Sequence, residues 1–515
     1  MAKQTTDVVV IGSGIGGLCA GALLAKYGYE VLVCESHSLA GGAAHSFEYR
    51  GFHFDSGPSL YSGLMDSSSA NPLKQVLDAL AVELPCYTYD TWGCWLPEGQ
   101  FETQVGAAKF QDVLAQLRGP QAVQEWQHLQ QIMEPLKDAA IALPPAAIRA
   151  DWQVLRSARL FLPNFLKQGR RATKLTGDFA RVYQNVIHDE FLRNWLDLLS
   201  FLISGLPADS TSAAAMSFMF ADWYRPGVSL EYPVNGSAGL VTALVSGLEK
   251  FGGELQLNAH VSKIIIAGNQ IKGVLLRNGQ VINVKKGVVA NLSAWDLCKL
   301  LPQQTGAVEK LRSQRTQLPA CASFMHLHLG INGDGIAPDL PCHHIYVKDW
   351  SLGIDAPQNV VLISIPSLLD PSLAPPGKHA IHVYTPGNEP YAIWQGLDRR
   401  SADYQALKET RSQIMWEALE KVIPDVRKRC EVTLVGTPLT HERFLRRDRG
   451  SYGPALAAGK AIFPGPRTGI QGLLCCGDST FPGIGLPAVA ASGMLAANTW
   501  TPVDKHLAML KEIGL

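Results

Sequence analysis

The chain has 515 residues, of which 47% are hydrophobic and 17% are charged. This length exceeds what one hydrophobic core usually fills, and the charged fraction lies below the roughly 25% of average soluble domains, so we expect at least two lobes and a large core or an apolar tunnel. The 45 basic residues balance the 45 acidic ones, so overall charge gives no support to a nucleic-acid-binding function or to an acidic partner.

The start of the chain predicts a dinucleotide-binding turn between a strand and a helix. Residues 7–11 (DVVVI) form a buried-strand pattern, and residues 18–27 (LCAGALLAKY) are rich in helix formers. The glycine turn between them can face a pyrophosphate with its backbone N–H groups and with the start of the helix. Its residues are Gly12, Ser13, Gly14, Ile15, Gly16 and Gly17. A second strand, 30–34, ends at Glu35, a carboxylate suited to ribose hydroxyls and unfavourable to a 2′-phosphate.

The glycine turn favours FAD over NAD if the chain also carries a second half of a flavin site. No other Gly-x-Gly-x-x-Gly sequence lies between a predicted strand and helix. Near the other end of the chain, the short strand 472–476 runs into Gly477 and Asp478, followed by a helix of small residues over 486–499. We expect Asp478 to accept a hydrogen bond from a ribityl hydroxyl. The helix start at Gly485 and Leu486 is expected to point its positive end at the flavin.

A return to this nucleotide-binding lobe is predicted in the middle of the chain. The sequence YPVNGSAGL leads into a helix over 240–251. Three strands follow at 254–266, 273–277 and 280–289, the last two joined by the Asn278-Gly279 turn.

An antiparallel sheet with several histidines is predicted within residues 295–460. Strand patterns occur at 324–329 (FMHLHL), 343–347 (HHIYV), 360–365 and 379–384. His326 and His328 share one face of their strand, and His343 and His344 follow closely. Because no acidic ligand lies at a fitting offset, and alternating histidines on a half-exposed strand need no ion, no metal site is predicted.

The first long block, residues 60–230, is predicted to be helical and contains a basic segment. Between residues 149 and 181 the cations are Arg149, Arg156, Arg159, Lys167, Arg170, Arg171, Lys174 and Arg181, against Asp151 and Asp178. The apolar residues between them are Trp152, Leu155, Leu160, Phe161, Leu162, Phe165 and Leu166. This pattern favours a segment that lies in a membrane surface, and the alternative is a solvated basic helix packed on the body. No apolar run reaches the ~20 residues that a spanning helix needs.

These motifs resemble those of the FAD-dependent phytoene desaturase and carotenoid isomerase superfamily, which shares its architecture with amine oxidases. The resemblance runs the full length and includes GGAAHSF at 41–47, GFHFDSGPS at 51–59, YPVNGSAGL at 232–240 and GDSTFPGIGLPAVAASG at 477–493. Within the superfamily the chain looks most like carotenoid cis-trans isomerase-like proteins of cyanobacteria and chloroplasts. Bacterial-type phytoene desaturases tend to carry arginine after the glycine pair, whereas Ala43 stands here, as in the isomerase and retinol saturase branches.

The resemblance implies an α/β fold with a Rossmann-type FAD-binding domain and an interleaved α+β substrate domain. The discontinuous FAD-binding domain would comprise residues 1–60, 231–294 and 461–515. The substrate domain would comprise 61–230 and 295–460, with a helical, membrane-associating part at about 149–207.

The resemblance also implies further site residues. Those that would contact FAD are Ser36, Gly41, Gly42, Ala43, Ala44, Gly57, Pro58, Ser59 and Val261, the last through its backbone at the adenine. Polar candidates for orienting the flavin or for acid–base catalysis are His45, Tyr61, Glu231, Arg449 and Tyr452.

The activity implied is a redox-neutral cis-trans isomerisation of a carotenoid-type polyene with reduced FAD. Two alternatives stay open, an FAD-dependent carotenoid or isoprenoid desaturase or saturase, and a non-catalytic prenyl-lipid carrier of the same fold, as in Rab GDP-dissociation inhibitors. The expected partners are a hydrophobic polyene or isoprenoid substrate and a peripheral membrane surface, and nucleic acid is not expected. The location implied is cytoplasmic with peripheral membrane association, at a thylakoid or plasma membrane if the source is cyanobacterial; the oligomeric state stays open.

Overall fold

The structure, a computed structural model, describes residues 4–57, 59–66, 69–169, 171–225, 227–303 and 305–515. Its strands are β1 (Thr5–Ile11), β2 (Val31–Cys34), β3 (Ser46–Tyr49), β4 (Phe52–Asp55), β5 (Tyr61–Ser62), β6 (Cys86–Tyr89), β7 (Thr91–Leu96), β8 (Gly99–Gln104), β9 (Leu230–Pro233), β10 (Glu254–Gln256), β11 (Val261–Ala267), β12 (Gln270–Leu276), β13 (Val281–Asn291), β14 (Ser323–Asn332), β15 (His343–Val347), β16 (Val360–Ser364), β17 (Lys378–Glu389), β18 (Cys430–Gly436) and β19 (Leu473–Cys476).

The α-helices are α1 (Ile15–Lys26), α2 (Pro72–Leu80), α3 (Ala107–Leu117), α4 (Pro120–Ile141), α5 (Val154–Ala158), α6 (Leu162–Gln168), α7 (Arg171–Lys174), α8 (Ala180–Tyr183), α9 (Glu190–Ser204), α10 (Ala213–Trp223), α11 (Gly236–Lys250), α12 (Ala294–Leu300), α13 (Ala307–Thr316), α14 (Ala402–Val422), α15 (Val426–Arg429), α16 (Pro438–Leu445), α17 (Leu486–Trp500) and α18 (Val503–Glu512).

The first sheet gathers strands from both ends and the middle of the chain. Its order is β10-β2-β1-β13-β12-β11, and β19 pairs with β13. Strands β10, β2, β1, β13 and β19 run parallel, whereas β11 and β12 form an antiparallel extension. The carboxyl ends of β1, β2, β13 and β19 therefore meet at one edge, where open α/β sheets bind their ligands. The predicted α/β class is confirmed, and the domain boundaries at residues 60, 230, 294 and 460 stay predictions.

The second sheet has the order β18-β14-β17-β16-β15-β7-β8 and is antiparallel except where β15 pairs with β7. Its predicted central strands are confirmed. The expectation that residues 60–230 are helical is wrong for part of this block, because β7 and β8 form a hairpin through the turn at Pro97 and Glu98 and extend this sheet. Burial favours the hairpin, since Trp92, Cys94 and Leu96 point into the helical core.

Strand β14 is buried on both faces, so the expectation of a half-exposed histidine strand is also wrong. Leu327 and Leu329 pack against helix α14 on one side. On the other side, His328 contacts the rings of Phe47 and Phe54 from the β3–β4 hairpin. The second sheet is thus held between a helix and the nucleotide-binding lobe.

Close backbone contact explains the glycines at the start of α1. A Cβ on Gly17 would lie 2.1 Å from the carbonyl oxygen of Gly12. A Cβ on Gly493 of α17 would lie 2.4 Å from the carbonyl oxygen of Gly16. Helix α1 therefore packs on β1 and α17 at a distance that only glycine permits.

We predict that Gly17→Ala lowers the free energy of unfolding by about 1–3 kcal/mol, because the methyl group would collide with rigid backbone. The measurement is thermal or denaturant unfolding. Gly21→Ala is the matched control, since the Cβ at Gly21 would meet side chains and no backbone, the nearest being Val33 Cγ2 at 3.0 Å, and alanine favours helix. Equal losses in the two variants would contradict this explanation.

Candidate functional site

A cavity of about 1570 Å³ lies between the carboxyl edge of the first sheet and the inner face of the second. It has two connected parts. We call the part along the first glycine turn the cleft arm. The apolar arm is the part lined by Ala139, Leu143, Leu175, Ile203, Phe218 and Met219. The volume exceeds the ~300–1,000 Å³ of ordinary small-molecule pockets, so the cavity has room for more than one ligand.

The cleft arm fits a dinucleotide. Helix α1 begins at Ile15, its N-cap residue Gly14 provides no side-chain hydrogen bond, and its first turn borders the cavity. A Cβ on Gly42 would lie 2.8 Å from the Cα of Gly14, so the two glycine loops approach each other more closely than a side chain at Gly42 would allow. Uncapped N–H groups at a helix start favour a bound phosphate.

Glu35 lies where the sequence predicted, at the carboxyl end of β2 in the cavity wall. Its carboxylate accepts hydrogen bonds from Ser13 N at 2.9 Å, Ser13 Oγ at 2.7 Å and His37 N at 2.8 Å. These three donors hold the carboxylate in one orientation, which suits a group that must meet a ribose.

The other half of the predicted cofactor site closes the opposite wall. Asp478 follows β19 and its Oδ2 accepts a hydrogen bond of 2.6 Å from Arg447 Nη1. Ser479 Oγ donates to Asp478 Oδ1 at 3.2 Å. The arginine Nη2 is buried without a partner among the described residues, so the ion pair still offers a donor to a ligand.

Asn291, at the end of β13, lies between the two halves. Its Nδ2 donates to the carbonyl oxygen of Gly12 at 3.4 Å. A Cβ on Gly14 would approach its Nδ2 to 2.9 Å, and one on Gly477 would approach its Oδ1 to 2.6 Å. One side chain therefore fills the space where both glycine turns meet.

Most of the predicted cofactor residues border the cavity. Those that do are Gly12, Gly14, Ile15, Gly16, Glu35, Ser36, Gly41, Gly42, Ala43, Ala44, Gly57, Ser59, Val261, Gly477, Asp478, Gly485 and Leu486. Ser13 and Gly17 lie behind this wall. Ser13 holds the carboxylate of Glu35, and Gly17 allows helix α1 to pack closely on the end of β1. Pro58 lies outside the described residues.

Three of the five polar candidates border the cavity and two do not. His45 bonds to the carbonyl oxygen of Gly42 at 2.8 Å and to Ser56 Oγ at 3.0 Å, and Tyr61 OH bonds to Ser237 Oγ at 2.6 Å. Tyr452 is the third. Glu231 lies outside the lining, where its carboxylate accepts hydrogen bonds from the backbone of residues 64 and 65. Arg449 is exposed, pairs with Asp448 at 2.7 Å and covers the ring of Trp295.

The inner face of the second sheet carries a row of polar side chains that we call the histidine ladder. It consists of the cross-strand neighbours His328, His382, Ser364 and His343 on β14, β17, β16 and β15. His326 lies beside it and borders the cavity. Burial lowers the pKa of His328 to about 4 and that of His343 to about 3, and it lowers the pKa of His326 and His382 well below the usual value. The ladder is therefore neutral at pH 7.

The apolar arm contains one partly buried carboxylate. Helix α10 presents Ala214, Ala215, Phe218 and Asp222 to the cavity, at helical spacing. Asp222 accepts a hydrogen bond from Ser62, which in turn accepts one from Trp223 Nε1 at 3.2 Å. Burial raises the pKa of this carboxyl.

The basic segment lies beside the apolar arm. Ile148, which directly precedes residues 149–181, and Leu175, which lies within them, line the cavity. Between them, Trp152 is 75% exposed, Leu155 74% and Leu166 67%. The side chain of Phe165 and residue Arg170 lie outside the described part of the chain.

Two of the cationic and apolar side chains assigned to this pattern from the sequence are buried. Arg149 is buried, and its Nη2 bonds to Asp151 Oδ2 and to the carbonyl oxygen of Thr501, both at 2.8 Å. Counting it as a surface cation is therefore wrong. Phe161 is 9% exposed and packs against the core. No helix within the described residues has both the length and the apolarity that a membrane span requires.

Sequence reasoning missed Asn291, Arg447 and His441, which all border the cavity. Asn291 carried a usable signal, because it ends a buried strand at the ligand-binding edge of a parallel sheet. Arg447 and His441 lie on or just after the short helix α16, and no local pattern distinguishes them from the other cations around it.

Comparison with known proteins shows what the chain is similar to. The family model described as "Flavin containing amine oxidoreductase" matches residues 15–499. The chloroplastic prolycopene isomerase of Daucus carota is 32% identical over 506 residues, which is 96% of this chain and 79% of that protein. The lycopene-forming phytoene desaturase of Pseudescherichia vulneris is 25% identical and covers 95% of this chain and 98% of its own length.

Solved structures show the same fold. The crystal structure of an oxidoreductase from Methanosarcina mazei has a TM-score of 0.61 with 18% identity, and the match covers 95% of this chain and 99% of that one. The resemblance predicted from the motifs is confirmed by the family model and the 32% identical relative, and the cofactor is a flavin.

We predict that Asn291→Ala weakens flavin binding about tenfold. The substitution removes the side chain between the two glycine turns, and the loss of one hydrogen bond with its packing costs about 1–2 kcal/mol. The measurement is a fluorescence titration of the apoprotein with flavin. Asn283→Ala, at an exposed position of the same strand, is the control, and similar affinities of the two variants would contradict the prediction.

Proposed function

The chain belongs to the flavin-containing amine oxidoreductase family, and we propose that it is an FAD-dependent cis-trans isomerase of carotenoid-type polyenes. The observation that carries this proposal is the single cavity that joins a dinucleotide cleft to a long apolar arm. A flavin in the cleft and a hydrocarbon in the arm would meet where the two parts join.

FAD is favoured over other flavins by both walls of the cleft arm. Glu35 supplies a fixed carboxylate for an adenosine ribose, and the uncapped start of α1 supplies N–H groups for a pyrophosphate. A flavin without the adenine half would leave these groups without a ligand.

A polyene substrate is favoured by the walls of the apolar arm. Alanine, leucine, phenylalanine and methionine side chains make up most of the lining, and Asp222 is engaged by Ser62. Such a surface binds a long hydrocarbon through burial of apolar area, and it excludes water from the reacting double bond. The relative with 32% identity is named for isomerisation of prolycopene.

The residues of this chain supply binding, orientation and charge. Reduced flavin, when bound, supplies the reversible redox chemistry that lets a double bond of the polyene rotate. Glu35, Asn291 and Asp478 would hold the cofactor, and the apolar arm would hold the polyene straight. His45, Tyr61 and Tyr452 are the polar side chains we propose for orientation or acid–base work, and Ala43 and Ala44 leave space at the cofactor.

We predict that the purified protein, loaded with FAD and reduced without oxygen, converts a poly-cis carotenoid into isomers with the same number of double bonds. The measurement is chromatography of the extracted carotenoids with absorbance spectra and mass. The control is the same protein with oxidised FAD, which should leave the substrate unchanged.

Other outcomes identify the alternatives. A product that has lost two hydrogen atoms would identify the protein as a desaturase, and one that has gained two would identify it as a saturase. A protein that binds carotenoid but retains no flavin would point to a carrier of the same fold.

We also propose that the basic segment docks on a membrane surface and places the apolar arm at the lipid. The support is its position, because the exposed side chains of Trp152, Leu155 and Leu166 lie between two stretches of chain that line the cavity. Exposed Arg159 and Lys167 would meet anionic headgroups, each contributing ~1 kcal/mol. A polyene could then enter the protein without crossing water.

We predict that the double variant Leu155→Ser, Leu166→Ser binds vesicles with anionic lipid at least about tenfold more weakly, since each buried leucine contributes ~1.5–3 kcal/mol. Flotation of the protein with vesicles gives the bound fraction. Leu352→Ser, which changes a 53% exposed leucine elsewhere on the surface, is the control. Failure of the unaltered protein to float would overturn the docking proposal and leave the isomerase proposal standing.

A further inference from the structure

Two buried histidines beside the cavity are joined end to end. His326 Nδ1 and His382 Nε2 lie 3.0 Å apart. Their ring centroids are 5.2 Å apart and their planes are inclined by 17°. His328 and His382, by contrast, are stacked, with centroids 4.4 Å apart and planes inclined by 5°. The wider spacing of the first pair fits an edge-to-edge hydrogen bond between two imidazoles.

The outer nitrogens of this pair have no partner. His326 Nε2 and His382 Nδ1 are buried without a hydrogen bond among the described residues. Each such group costs about 1–3 kcal/mol if it stays unsatisfied. In a neutral pair, one outer nitrogen carries a proton and the other a lone pair. Reversing the central hydrogen bond moves the proton from one end of the pair to the other.

The geometry suits a proton better than a metal ion. Two nitrogens bound to one tetrahedral zinc ion lie ~3.3 Å apart, given zinc–nitrogen bonds of ~2.0–2.1 Å, whereas His326 Nδ1 and His382 Nε2 lie 3.0 Å apart, a normal hydrogen-bond distance. Although nitrogens of His326, His328 and His382 all lie within 4.8 Å of one another, the stacking of His328 on His382 turns their lone pairs parallel instead of towards one point. His328 Nε2 is also used, because it donates to the carbonyl oxygen of Asp55 at 3.1 Å.

We propose that His326 and His382 form a proton relay that takes up one proton when the bound flavin is reduced. This inference rests on the proposed function. A polyene is a hydrocarbon and offers no atom that could satisfy a ring nitrogen, whereas a flavin ring carries oxygen and nitrogen atoms. His326 borders the cavity and His382 lies behind it, so the pair connects the cavity with the interior of the sheet.

The relay balances charge when the cofactor is reduced. A two-electron donor, such as a reduced nicotinamide or a quinol, adds negative charge to the cavity. The pair then takes up one proton from solvent, shares it across the central hydrogen bond and releases it on reoxidation. Burial keeps both rings neutral beforehand, and a nearby negative charge offsets that penalty.

The groups around the pair do not supply a competing negative charge. His441 faces His326 from α16, with ring centroids 5.5 Å apart. Tyr384 lies 4.7 Å from His382 on the same strand. Burial raises the pKa of Tyr384 to about 12 and lowers that of His441 to about 3, so both are neutral at pH 7. His45 and His328 complete the titratable neighbours.

The test counts protons taken up per flavin reduced, with a pH-indicator dye in weak buffer near pH 7, under anaerobic conditions and with one reductant throughout. The FAD-loaded protein should take up more protons per flavin than free FAD does in the same apparatus. His326→Gln and His382→Gln should each take up one proton fewer than the unaltered protein. Glutamine can hydrogen bond but cannot pass a proton between two nitrogens.

The matched control is His344→Gln. His344 is equally buried in the same sheet, has both ring nitrogens unpartnered among the described residues, and faces away from the ladder towards Gly93. Its proton count should equal that of the unaltered protein.

Three outcomes would overturn the relay. These are an unchanged proton count in both pair variants, an equal loss in the control, and stoichiometric metal in the purified protein that disappears in His326→Gln. An unaltered protein whose count does not exceed that of free FAD would overturn it without any substitution. Because flavin absorbance and isomer formation are measured separately, failure of the relay is distinguishable from failure of the proposed function.

Discussion

Two glycine turns from opposite ends of the chain meet across the side chain of Asn291. Gly14 and Gly477 each approach it more closely than a side chain would allow, and strand β13 carries it to that point between β1 and β19. The rest of the site depends on this contact. If the turns were further apart, Glu35 and Asp478 could not act on one ligand, and the cleft would not open into the apolar arm.

The same cavity combines a polar wall that suits a charged cofactor with an apolar wall that suits a hydrocarbon. The cleft arm presents fixed donors and carboxylates, which a charged cofactor needs. The apolar arm presents hydrocarbon, in which an unpaired charge would be costly. The second sheet contributes His326 to the cavity wall and places His382 behind it, and both are neutral at pH 7. His326 and His382 can bind a proton when negative charge appears in the cavity, and their neutral form is compatible with an apolar surface.

Local sequence patterns were sufficient for the parts of the fold that depend on neighbouring residues. The strand–glycine–helix order at Gly12–Gly17, the carboxylate of Glu35 and the strand before Asp478 all follow from spacing along the chain. Contacts between distant segments were not accessible in this way. The burial of β14 required knowing that helix α14 and the β3–β4 hairpin cover it. Arg149 likewise could not be recognised as buried, because its contact with the carbonyl oxygen of Thr501 joins segments far apart in the chain. The sequence shows its charge but not its environment.

The position of β19 in the first sheet has a consequence for biosynthesis. This strand is made from residues 473–476, yet it pairs with β13 and lies one strand away from β1, which is made first. During translation, residues 288–291 of β13 therefore keep one edge unpaired until residues 473–476 have left the ribosome. An exposed strand edge invites pairing with other chains. Because Gly477 and Asp478 directly follow this strand, their wall of the cavity forms only after residues 473–476 have paired with β13.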